Sequence, residues 1–410
     1  MTRRFFYGWV VLAAAFVIIT MSIGTLFTLG VFLRPIEESM GWSRSGIGAI
    51  GLFNWIVMGA GGVVSGFVSD RLGTRRVVLV GAVVLGLGLV LSSYVQQAWQ
   101  LYVTFGLLVG AGVSAFYVPL TVLAIKWFEG RRGMAAAIVS AGNGLGILAL
   151  APLSRWLINE FDWRVAFLVL GNLAWVVVLP CAMFLRAPRG GGEPSSGRPF
   201  TARSPVLASG GGSPWATWPF WAIALTHFCC CAAHSGPLFH LVSHAMDQGV
   251  ARMAAAGILG VSGLTSIFGR VGTGIVADRV GAKRTLLSAL SLQAALIFAY
   301  LWASSEGALW GLSLAFGVAY GGAMPLYAVV TREYFGERIL GTAYGGVFFI
   351  SCIGMGLGSF AGGVIHDLLG TYQWLFLGSF AIGMMAIVLG VTLKAPGTVP
   401  VPRPSPAVGG

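Results

Sequence analysis

Charge is what this sequence lacks. Only 9% of its 410 residues are charged, and only 13 are acidic. A soluble domain of ordinary composition carries about 25% charge. With 57% of residues hydrophobic and a mean hydropathy of +0.85, the chain cannot cover a water-facing surface. That excludes a large soluble core and leaves an integral membrane protein. Cysteine is also scarce. Cys181, Cys229, Cys230, Cys231 and Cys352 all lie in apolar segments without metal-ligand spacing, which argues against a disulfide framework or a metal centre. No acid–base pair, nucleophile constellation or metal cluster falls within the apolar segments, so neither an enzyme nor a cofactor is expected.

What is present is basic. The net charge is +12, yet the basic residues form no single patch. They recur in short clusters between apolar runs, which is a membrane pattern and not a nucleic-acid one. A helix needs about 20 apolar residues to cross a bilayer. Twelve such runs are predicted, at 9–32, 46–69, 77–96, 99–125, 133–157, 164–186, 216–244, 253–277, 285–303, 307–330, 340–365 and 374–393. The opening "MTRRFF" carries a twin arginine, as some export signals do, but no small-residue cleavage site follows, so the first run is expected to stay as an uncleaved helix.

The runs divide evenly. Residues 1–186 hold six, 187–215 are rich in Gly, Ser and Pro and read as a flexible linker, 216–393 hold six more, and 394–410 read as a disordered tail. The halves repeat. "GFVSDRLGTRR" follows the second run and "GIVADRVGAKR" the eighth, with Asp70 and Asp278 208 residues apart. "AIKWFEGRRGMA" and "VTREYFGERILGTA" recur with Phe128 and Phe335 207 residues apart. Two motifs at nearly one offset argue for internal duplication. Nineteen of the 25 basic residues fall on the side of the N-terminus and five on the other. That bias predicts cytoplasmic termini and a cytoplasmic linker. The remaining basic residue is Arg270.

Arg270 lies eight residues before Asp278, about 12 Å along a helix from its end. A charge at that depth is costly. The acids, from Glu37 to Asp367, all fall in loops or at helix ends, so none is an obvious partner. A guanidinium matches a carboxylate in bidentate geometry and stays charged at any physiological pH. The chain therefore holds a cation suited to an anion from outside. The plainer alternatives are snorkelling, strained over 12 Å for a side chain that reaches about 6–7 Å, or pairing with backbone carbonyls at a broken helix.

Twelve spans in two duplicated halves, with "DRLGTRR" and "DRVGAKR" in equivalent loops, resemble the major facilitator superfamily. "YGWVVLAAAF" and "KWFEGRRGMAAAIVSAGNGLG" are similar to its monocarboxylate porter family, whose bacterial members include lactate-type carriers and oxalate–formate exchangers. The resemblance implies an all-α membrane fold of two pseudo-symmetric six-helix bundles. It implies that Arg270 binds the substrate carboxylate, and that the loop motif (Asp70, Arg71 and Arg75; Asp278, Arg279 and Lys283) latches one conformation; simple topogenic charge is the plainer reading of that motif. It also suggests tyrosines in both halves, here Tyr117 and Tyr320, whose hydroxyls can donate to a carboxylate; ordinary packing is their plainer use. Many animal members carry an aspartate one turn before the arginine and a lysine in the first helix. Here Ser266 and an apolar place near Phe27 stand instead. Those two residues are linked to proton coupling, so a copied proton mechanism is in doubt, and a single positive charge favours a monoanion.

Asn143 and Asn54 are candidates for substrate or interhelical hydrogen bonds, the latter being the commoner use. His227 and His234 are candidate proton sites, with a neutral, hydrogen-bonded histidine as the plainer reading. His240 and His244 lie four apart, but no third metal ligand is in view. The expected protein is a monomeric, multi-pass secondary transporter of the cell (inner) membrane. It moves a small lactate- or pyruvate-like monocarboxylate by alternating access, coupled to protons, with oxalate–formate-like anion exchange as the alternative. An exporter of another molecule and a non-transporting acid sensor are weaker rivals. The lipid bilayer, the carboxylate and protons are the expected partners, without nucleic acid.

Overall fold

The computed structural model describes residues 6–128, 132–188, 214–335 and 340–393; for Asp70, Ile125, Arg132, Gly133, Asp278, Leu340, Gly341 and Thr342 it describes the backbone alone. Most of the expected linker (189–213) and the whole expected tail (394–410) therefore lie outside the described residues.

Among the described residues, twelve helices are long and apolar enough to cross a membrane: α1 Gly8–Met40, α2 Arg44–Ser69, α3 Thr74–Ser92, α4 Ala98–Ala124, α5 Met134–Glu160, α6 Trp163–Met183, α7 Trp218–Asp247, α8 Arg252–Ala277, α9 Ala282–Trp302, α10 Glu306–Phe335, α11 Ala343–Leu369 and α12 Gln373–Thr392. Each matches a run expected from hydropathy. The main difference is at α1, which runs on to Met40 through Arg34, Pro35, Glu37 and Glu38. Hydropathy stops at the first charges; the helix does not, because Arg34 and Glu37 find partners described below and Glu38 is exposed.

The duplication is visible in the packing. In the first six helices, α1 packs on α5, α2 on α4 and α3 on α6; in the second six, α7 packs on α11, α8 on α10 and α9 on α12. Two extensive pairs join the halves, α2 with α11 and α5 with α8, and α1 meets α7 in a smaller contact. Each extensive pair becomes the other when the halves are exchanged. The repeated loop motif repeats its geometry too. Gly73 and Gly281 sit at φ +85° and +97° with ψ near 140°, each donating its N–H back to the preceding helix, to Ser69 O at 3.0 Å and Ala277 O at 2.9 Å. Side-chain-bearing residues rarely adopt that backbone, which explains the glycine in each copy.

Where α5 crosses α8, midway along both helices, a Cβ on Gly144 would meet Gly263 O at 2.4 Å, so only glycine permits that approach. At the end of the bundle away from the termini, the halves close on each other through side chains. Around α1 and α7, Phe27 stacks on Phe239 at 5.3 Å and Trp55 meets Phe27 edge-on at 5.9 Å. Beyond this aromatic layer lies an ionic one. Arg34 pairs with Asp247. Arg44, only 5% exposed, donates to Glu37 at 2.8 Å, to Tyr372 OH at 2.9 Å and to Asp247 at 3.4 Å. The Ser45 N–H donates to Asp367 at 2.8 Å. Arg34, Arg44 and Ser45 belong to the first six helices; Asp247, Asp367 and Tyr372 belong to the second six.

Candidate functional site

A cavity of about 70 Å³ lies between the halves, below the aromatic layer. One water needs only about 10–15 Å³ measured this way, so the space suits a small organic molecule. Arg270, Tyr117, Tyr320, Asn143, Phe27, His227 and His234 all line it. The structure thus brings these seven residues around one space; Asn54 is not among them, and its Nδ2 donates instead to Phe105 O of α4 at 2.7 Å, an interhelical bond.

Arg270 is 2% exposed. Its Nε donates to Ser140 Oγ of α5 at 3.0 Å, across the boundary between the halves. Its Nη1 donates to Ser266 Oγ, one turn back on α8, at 3.1 Å. Ser266 in turn donates to Gly263 O at 2.7 Å, which fixes its lone pairs toward the guanidinium. Among the described residues no carboxylate lies within 4 Å of Arg270; every such pair is elsewhere. Each charge-assisted hydrogen bond contributes about 1.5–3 kcal/mol. A mid-membrane arginine costs about 2.5–3.5 kcal/mol on insertion scales. The serines therefore hold the guanidinium in place without neutralising it.

The groups around it are arranged for a polar ligand. Tyr320 presents its ring to Arg270, with Cζ 6.0 Å from the ring centroid. Among the described residues its buried hydroxyl, Asn143 Oδ1 and His227 Nδ1 have no hydrogen-bond partner. Leaving such groups unpaired is expensive, so three of them around one cation mark a site made to be filled. Tyr117 reaches the cavity because α4 is irregular. Pro119 cannot donate to Ala115 O, the chain turns at Ala115 and Phe116, and a fresh helical segment starts at Tyr117. The Tyr117 ring then stacks on Phe348 at 5.4 Å.

His234 Nδ1 lies 2.8 Å from Cys230 O. A carbonyl only accepts, so this nitrogen carries hydrogen and a neutral ring presents Nε2 as its lone pair. The His234 ring stacks on Tyr320 at 5.5 Å, and His227 stacks on Tyr327 at 3.8 Å. His240 is engaged elsewhere, with Ser359 O at 2.8 Å and Tyr372 OH at 3.2 Å. Among the described residues no group of three potential ligands could hold a metal ion.

The loop motif divides differently. The side chains of Asp70 and Asp278 lie outside the described residues. Arg71 covers the Phe67 ring at 4.1 Å, and Arg75 Nη2 lies 3.1 Å from the Met183 sulfur. Arg279 is exposed, while Lys283 donates to Val391 O at 3.1 Å and to Leu393 O, capping the C-terminus of α12. These described contacts each stay within one half.

Ser140 and the two cavity thiols, Cys231 and Cys352, were not singled out by sequence. Ser140 stands three residues before Asn143, so both share one face of α5; that spacing was the available signal.

Comparison with known proteins agrees with this arrangement. The family model described as Major Facilitator Superfamily matches residues 11–356 and, in a second match, 273–409. The chain is similar to Monocarboxylate transporter 13 of Bos taurus, 28% identical over 389 residues that cover 93% of this chain and 89% of the relative. It is also similar to Monocarboxylate transporter 11 of Mus musculus, 30% identical over 401 residues covering 95% and 88%, and to Monocarboxylate transporter 3 of Rattus norvegicus, 28% identical over 391 residues covering 94% and 79%. The fold, the duplicated halves and these matches together make the chain a member of the Major Facilitator Superfamily of membrane transporters.

Proposed function

We propose that this protein is a secondary transporter of a small monocarboxylate, of the size of lactate or pyruvate, working by alternating access in the cell membrane with both termini cytoplasmic. One observation carries the reading: Arg270 is buried between the halves, lines their shared cavity and has no acidic partner among the described residues. The substrate carboxylate takes the place of the missing acid, in the bidentate geometry a guanidinium favours. One uncompensated charge selects a monoanion over a dianion. The names of the similar mammalian transporters support the same substrate class.

Alternating access requires that the halves part at one end while they meet at the other. The ionic and aromatic layers around Asp247 and Phe27 form the outer closure in this reading. A proton accompanies the carboxylate, carried by the substrate itself or by His234 or His227, because no carboxylate is among the described residues that line the cavity. Purified protein in liposomes, given labelled lactate, pyruvate, acetate, formate and oxalate, tests this. Monocarboxylates should accumulate when the outside is made acidic, and oxalate should not. If no carboxylate moves or competes, the reading is wrong.

A further inference from the structure

A second cavity, of about 600 Å³, opens at the outer end between α1, α5, α6 and α8. Arg155 lines it from α5 and Arg252 from α8, so each half contributes one guanidinium. Arg155 is 2% exposed. Its Nε donates to Asn159, one turn on along the same helix, at 3.0 Å. That bond fixes the planar group, and its two Nη nitrogens have no hydrogen-bond or ion-pair partner among the described residues. Arg252 likewise has none.

Two acids also line the space, Asp162 and Glu38. Asp162 is already used: it accepts from the Trp163 N–H at 2.6 Å and lies 3.8 Å from Arg164. Glu38 is exposed and within 4 Å of neither guanidinium. Two free cations against one free carboxylate leave room for one negative charge. A buried arginine with a fixed fork and no direct ion pair is stabilised by an anion.

We propose that this cavity is an outer docking site for a small carboxylate anion from solution, held between Arg155 and Arg252 ahead of the central site. The inference rests on reading the protein as a carboxylate transporter. Because the two arginines sit on opposite halves, an anion bridging them is let go when the halves part at this end. That release delivers it to the mouth of the opening route.

Titration of L-lactate into purified protein in phosphatidylcholine nanodiscs, followed by calorimetry at fixed ionic strength, tests the site. Two classes of binding are expected in the wild type. R270Q should lose the tighter class and keep the weaker. R155Q should keep the tighter class, which also shows that it folds, and weaken the other at least about tenfold. R252Q, at an exposed position, should weaken the same class and so guards against misfolding of R155Q. Added salt should weaken the outer class more than the central one, since only the outer cavity is open to screening ions. No residual binding in R270Q, or a weak class unchanged in both R155Q and R252Q, overturns the proposal. So does a weak class that disappears when anionic phosphatidylglycerol is included, which would make a lipid phosphate the occupant. Unchanged tight binding in R270Q would instead refute the central site.

Discussion

Arg44 and Arg270 are both almost wholly buried, at 5% and 2% exposure, yet their surroundings are opposite. Arg44 is surrounded by Glu37, Asp247 and the Tyr372 hydroxyl. Arg270 hydrogen-bonds only to two serine hydroxyls among the described residues. The first is a completed ion cluster that joins the halves, and its charge is spent on structure. The second is a positioned cation whose charge is left for a ligand. Burial alone does not separate the two roles; the count of acidic partners does.

This comparison can be broken at each arm. The largest effect is expected at Arg270 itself. R270Q should lower uptake at least about a hundredfold, because removing one partner of a buried charge pair costs about 3–5 kcal/mol. Its thermal midpoint without substrate should fall little, since two serine bonds are lost but so is the cost of burying the charge. R44Q should lower the midpoint more, by leaving Glu37 and Asp247 short of a cation. A midpoint that falls more in R270Q than in R44Q would erase the distinction.

A middle-sized effect is expected at Asp247, which meets Arg34 and Arg44 from the second half. D247N should loosen the outer closure. Losing roughly 1.4 kcal/mol of closure makes the open population about tenfold larger. Cys231 and Cys352 line the central cavity and report on this, so inactivation by a membrane-impermeant thiol reagent applied outside should quicken by about that factor. An unchanged rate would mean that the ion cluster does not gate access.

Ser140 comes next. S140A removes the bond that crosses the halves to Arg270 Nε, worth about 1.5–3 kcal/mol. KM should rise roughly tenfold or more, while S140T, which keeps a hydroxyl, should recover part of the loss. The smallest effect belongs to Tyr320. Its hydroxyl has no hydrogen-bond partner among the described residues, so Y320F should leave stability unchanged and raise KM by about threefold to tenfold. A drop in stability would show a structural hydroxyl instead of a substrate contact.

Much of this was legible in the sequence, for physical reasons. Apolar run length marked all twelve helices, and the offset between Asp70 and Asp278 exposed the duplication. Gly73 and Gly281 could be found because the motif repeats around a backbone conformation that disfavours side chains. Arg270 stood out because a full inventory of acids left it alone. The outer ion cluster was hidden. Arg34, Glu37, Arg44 and Asp247 look like loop charges, and Arg44 meets Asp247 across 203 residues and Tyr372 across 328. No local pattern encodes such pairs. Ser140 was hidden for the same reason, since its partner lies 130 residues away. Tyr117 lines the cavity, but the turn at Ala115–Phe116 that aims it is a consequence of Pro119 that run length does not reveal.

The central claim is that the fork of Arg270, and not merely its charge, holds the substrate. Uptake of labelled lactate into liposomes by R270K, driven by an acidic exterior, tests it most directly. Lysine keeps the positive charge and loses the planar pair of donors. The account predicts that R270K takes up lactate at least about tenfold more slowly than the wild type at equal protein content. Uptake near the wild-type rate would contradict it.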